Sequence, residues 1–82
     1  VISKEVWAIM MDTTPPSRDF IFQPVEYDTH IGIRLFRDNV SLFSEEIQED
    51  ITLWVAGVIN KIRALGVPCY IEVFDKPKGK AL

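Results

Sequence analysis

The chain has 82 residues, 48% of them hydrophobic and 11% aromatic, which suits one small packed core and excludes a disordered tail. Nine basic against 12 acidic residues leave a mildly acidic net charge of −3, where a nucleic-acid binder shows a basic excess. No apolar run reaches the roughly 18–20 residues that cross a bilayer, and Lys4 and Glu5 beside the first apolar run argue against a signal peptide.

The first element runs from Glu5 to Met11. Its unbroken apolar residues from Val6 onward predict a strand covered on both faces, placed centrally in a sheet. Asp12 to Asp19 contains the adjacent prolines Pro15 and Pro16, which remove two donors and fix two φ angles, so a loop is expected. A loop stiffened in this way would lose little entropy on docking to a partner, but the favoured reading is a long hairpin connection. Phe20 to Tyr27 predicts a second strand, confined by Pro24 to a sheet edge or a bulge. His30 to Arg37 alternates cleanly, with Ile31, Ile33 and Leu35 on one side and His30, Gly32, Arg34 and Phe36 on the other. Asp38 and Asn39 predict a tight turn, and Val40 to Phe43 a brief further pairing.

Ser44 then offers an N-cap, followed by Glu45 and Glu46 where the helix dipole favours negative charge. Apolar residues at Ile47, Ile51, Trp54, Val55, Val58, Ile59, Ile62 and Leu65 make an amphipathic helix that Gly66 and Pro68 terminate. Cys69 to Asp75 predicts the closing strand, and residues 76–82, with three lysines, a fraying tail. The expected fold of residues 1–82 is one α+β domain in the order β-β-β-α-β. It is a two-layer sandwich in which one long helix covers one face of a mainly antiparallel sheet of roughly three to five strands. The last strand is expected parallel to a neighbour, most naturally the first strand.

One helix leaves one sheet face open. That face is expected to carry Arg34, Phe36, Tyr70, Glu72 and Phe74, a mixture too aromatic for an idle surface and too charged for a core. Two kinds of partner fit it. One is another protein, including a second copy packing through the same surface; the alternative is single-stranded nucleic acid stacking on the aromatics. The acidic balance favours the protein. On the outer helix face, Leu53 and Gly57 lie with Ala56, Asn60 and Ala64 in a seam of mostly small residues that could receive a partner helix. Gly57 in mid-helix costs about 1 kcal/mol relative to Ala.

Catalytic constellations are sparse. His30 and the lone Cys69 fall on opposite sheet faces, too far apart for a nucleophile–base pair. Glu26, Asp28 and His30 are the best local cluster for a cation but read as a solvated edge. The four glycines are too scattered for a phosphate loop, and nothing calls for a cofactor or a metal. A lone thiol without disulfides fits a reducing compartment, so the expected setting is cytoplasmic. The sequence therefore points to a non-enzymatic interaction module that forms homo-oligomers.

Overall fold

A computed structural model of the chain describes residues 4–76. In chain order the elements are α1 (Lys4–Asp12), β1 (Phe22–Glu26), β2 (Ile31–Phe36), a single turn α2 (Arg37–Val40), α3 (Glu45–Ala64) and β3 (Cys69–Phe74). The α+β class is as expected, but the order and the sheet differ. The sheet has three strands in the order β1-β2-β3, with β1 antiparallel and β3 parallel to β2. It is mixed, not mainly antiparallel.

The first element is a helix where a central strand was expected. Lys, Glu, Ala and Met favour helix, and Val6, Ile9 and Met10 are spaced to fall on one helical face. Val6 is buried and Ile9 and Met10 partly so, all against the core shared with α3. The unbroken apolar run concealed that period, because Trp7 and Met11 are exposed on the other side. Thr13 Oγ1 donates to the Ile9 carbonyl at 2.7 Å near the helix end, just before the prolines. With the first strand gone, β2 becomes the central strand and β3 pairs with it. The expected pairing over Val40–Phe43 is also absent, since Asp38 and Asn39 lie in the helical turn α2.

The long helix follows the sequence closely. Ser44 Oγ accepts the Ile47 N–H at 3.3 Å, Glu45 and Glu46 occupy the first turn, and Lys61 and Arg63 the last. Beyond Leu65, Gly66 takes φ 83°, a left-handed conformation that reverses the chain at little cost only for glycine. Ile51, Val55, Val58, Ile59 and Ile62 are buried against Ile31, Ile33 and Cys69 of the sheet and against Val6 and Phe20. Each such side chain contributes about 1.5–3 kcal/mol by leaving water. Trp54 meets Phe20 and Phe22 edge-on, with ring centroids 5.8 and 4.9 Å away. Its buried Nε1 has no hydrogen-bond partner among the described residues.

Both edges of the sheet can be followed through their hydrogen bonds. At the β1–β2 hairpin the Tyr27 N–H donates to the His30 carbonyl at 2.8 Å, which sets the phase of that ladder. In that phase Gln23 and Val25 face β2, and the position of Pro24, opposite Ile33, faces away. The missing proline donor therefore falls on the free edge, as the edge assignment of this strand requires. Asn39, buried in α2, ties the proline-containing loop to the fold. Its Oδ1 accepts the Ile21 N–H at 2.8 Å and its Nδ2 donates to the Asp19 carbonyl at 3.0 Å. The expected tail lies, beyond Lys76, outside the described residues.

Candidate functional site

The register fixes which side chains share the open face. Gly32 lies beside Tyr70, Arg34 beside Glu72 and Phe36 beside Phe74 in the parallel ladder, and Tyr27 lies opposite His30 across the hairpin. All five expected sheet-face residues therefore occupy one face, but their environments differ sharply. Phe36 is only 3% exposed, with the Phe74 ring 6.3 Å away, and presents no surface for binding.

Arg34 and Glu72 satisfy each other. Arg34 Nε donates to Glu72 Oε1 at 2.9 Å, Tyr27 Oη donates to Glu72 Oε2 at 2.6 Å, and Arg34 Nη2 donates to Tyr27 Oη at 3.2 Å. This closed triangle holds the Glu72 carboxyl below the usual carboxylate range. The Tyr27 hydroxyl is the largest cause, and the Arg34 hydrogen bond and charge add to it against partial burial. The aromatics frame the triangle. Arg34 lies 5.0 Å from the centroid of Phe74, His30 stacks on Tyr27 at 4.6 Å, and Tyr70 meets His30 edge-on at 5.4 Å.

Tyr27 escaped the sequence reading because it was placed at a strand end without a face. A two-residue hairpin loop at Asp28–Thr29 would have put it opposite His30 and next to the gap over Gly32. That gap is functional in the packing. A Cβ on Gly32 would lie 2.9 Å from Tyr27 Cε2 and 3.0 Å from Glu72 Cδ, so glycine gives the two side chains their route across the sheet.

What remains accessible is concentrated on β3. Tyr70 is 53% and Phe74 39% exposed on the open face, while Ile71 and Val73 are 49% and 50% exposed on the helix face. Alternation puts Ile71 and Val73 on the same face as Cys69, toward the core, but only Cys69 is enclosed. The helix layer leaves the outer side of β3 uncovered. A shallow groove of about 410 Å³ opens there between Leu35, Val40 and Val73, with Arg37, Ser41 and Gln48 along its rim. The second expected surface, on α3, is solvent-facing: Leu53 is exposed, and a Cβ on Gly57 would meet nothing within 4 Å.

The reactive groups are arranged for packing. The Cys69 thiol is buried, and burial pushes its pKa up against a smaller opposing effect from Arg63, which suppresses the nucleophilic thiolate. His30 lies on the open face, held against Tyr27 and in contact with Thr29 Oγ1 at 2.8 Å, so the two do not meet. Among the described residues no group of three or more His, Cys, Asp or Glu side chains is placed to hold a metal ion. No described helix is long and apolar enough to cross a membrane. Comparison with family models, curated proteins and solved structures finds no match to this chain.

Proposed function

We propose that this chain is a non-enzymatic protein-interaction module that self-associates through the surface carried by β3. The observation that carries the reading is the exposure of Tyr70, Ile71, Val73 and Phe74 on the two faces of one strand. Four large apolar side chains exposed along one edge strand leave apolar surface on both of its faces, and exposed apolar surface of this kind is what most often marks a protein interface. Arg34 and Glu72 are already hydrogen-bonded to each other beside these side chains, so covering the pair strands neither of its charges. The outer face of α3 is the weaker candidate, since Leu53 stands among small and polar neighbours.

Single-stranded nucleic acid is less well supported. Tyr70 and Phe74 could stack on bases, but the nearby Arg34 is engaged by Glu72 and the chain carries a net charge of −3.

Equilibrium sedimentation over micromolar to millimolar concentrations tests the reading. The apparent mass should rise above 9.4 kDa with concentration, and a Tyr70→Ser/Phe74→Ser variant should associate more weakly. A mass fixed at 9.4 kDa throughout would refute self-association.

A further inference from the structure

The two edges of the sheet are not alike. β1 carries Pro24 on its free side, a common defence against further pairing. β3 (Cys69–Phe74) has no proline and no lysine, and its sole charged side chain is Glu72.

The β2–β3 hydrogen bonds show which backbone groups of β3 are free. The Ile31 N–H donates to the Pro68 carbonyl at 2.9 Å, so in a parallel ladder Tyr70, Glu72 and Phe74 turn their backbone groups toward β2. Cys69, Ile71 and Val73 turn theirs outward. The Cys69 carbonyl is occupied by Arg63 Nε at 2.9 Å. At the other end the Asp75 carbonyl accepts the Asp38 N–H at 3.0 Å, and its carboxylate pairs with Arg37 at 3.1 Å. Among the described residues, Ile71 and Val73 are therefore the two whose outward N–H and carbonyl are both unpaired, a window symmetric about Glu72.

We infer that this window pairs with the same window of a second copy, joining two sheets edge to edge across a two-fold axis at Glu72. The inference rests on the self-association reading above and specifies its geometry. Antiparallel pairing about Glu72 sets Ile71 against Val73 of the second copy and the reverse. All outward donors and acceptors of both residues are then used, in about four hydrogen bonds. Tyr70 falls opposite the second copy's Phe74, a favourable aromatic cross-strand pair. Cys69, where Arg63 is anchored, falls opposite the second copy's Asp75, so opposite charges meet at both ends.

The obvious objection is that Glu72 faces its own copy, and like charges directly opposite destabilise a sheet. Here each carboxylate is turned away. It reaches inward over Gly32 to Tyr27 and is paired with Arg34, so no unpaired carboxylate stands at the centre of the edge. The triangle on the open face thus prepares the edge for its own copy.

The test is Val73→Pro, which deletes an outward N–H and leaves the donors to β2 intact, as Pro24 does on the opposite edge. Sedimentation should show dimerisation weakened at least about tenfold, with the far-ultraviolet circular dichroism retained. Should the variant fold poorly, isotope-filtered NMR on a mixture of labelled and unlabelled wild type gives the same information, with contacts expected between Ile71 and the second copy's Val73. A Val73→Pro protein that dimerises like wild type, or filtered contacts elsewhere, would overturn the edge geometry. If Tyr70→Ser/Phe74→Ser alone abolished that dimer, the broader reading would survive. A monomeric wild type would overturn both. Salt-dependent binding of a mixed-sequence single-stranded oligonucleotide, lost in Tyr70→Ser/Phe74→Ser, would likewise assign the surface to nucleic acid and overturn the inference.

Discussion

Tyr27 donates its hydroxyl hydrogen to Glu72 Oε2 at 2.6 Å, joining the end of β1 to β3 across the bare backbone of Gly32 in the central strand. The contact spans the whole sheet, and with Arg34 it forms the only side-chain triangle among the hydrogen bonds described. It locks the open face and withdraws the one charge that could repel a strand arriving at β3.

The triangle should leave a signature in acid. The Glu72 carboxyl has a lowered pKa in the folded chain, chiefly through Tyr27, so its stabilisation is complete above the unfolded value of about 4.3. That contribution is lost as pH falls through the lower folded value. Urea denaturation should therefore find Glu72→Gln less stable than wild type at neutral pH, with the gap closing below about pH 4. A gap that stays constant down to pH 3 would show that Glu72 does not titrate in this way.

Gly32→Ala should be destabilised by about 1–3 kcal/mol, because the added methyl group meets the Tyr27 ring and the Glu72 carboxyl. Glycine in a strand is ordinarily unfavourable, so a surface position would be expected to gain from the same change. The variant should also lose the acid dependence assigned to Glu72. Wild-type stability together with an unchanged acid limb would contradict the role given to Gly32.

How much of this was readable in advance depends on how local the determinants are. The long helix was legible because Ser44, the two glutamates, the apolar stripe and Gly66 all signal within one segment. The edge position of β1 was legible because Pro24 cannot donate. The shared face of Arg34, Tyr70, Glu72 and Phe74 followed from simple alternation. In contrast, α1 was hidden by apolar residues on both of its faces, and misreading it displaced β2 from the centre of the sheet. The burial of Phe36 and the exposure of Ile71 and Val73 depend on where the helices sit over the sheet, which no single segment encodes. Tyr27 needed the hairpin register, a relation between two strands.

Asn39→Ala should strand the Ile21 N–H and the Asp19 carbonyl and cost about 1–3 kcal/mol. Amide exchange at Ile21 should accelerate well before the helices open. Asn39→Asp should be intermediate, since a carboxylate still accepts from Ile21 but cannot donate to Asp19. Equal losses for the two variants would count against the bidentate tie.

Gly57→Ala separates the helix surface from the strand surface. With open space around position 57, alanine should raise stability by about 0.5–1 kcal/mol through helix propensity and leave association unchanged. Loss of dimer in this variant would move the interface to the outer face of α3.

The account turns on whether β3 meets a strand in solution. Hydrogen exchange at the Ile71 and Val73 amides, followed against protein concentration, measures that directly. The Tyr70 and Glu72 amides, which face β2, serve as an internal control. Protection at Ile71 and Val73 should grow with concentration and vanish on dilution, while the control amides stay protected throughout. Fast exchange at Ile71 and Val73 under every condition, in a chain that nonetheless dimerises, would contradict the edge pairing.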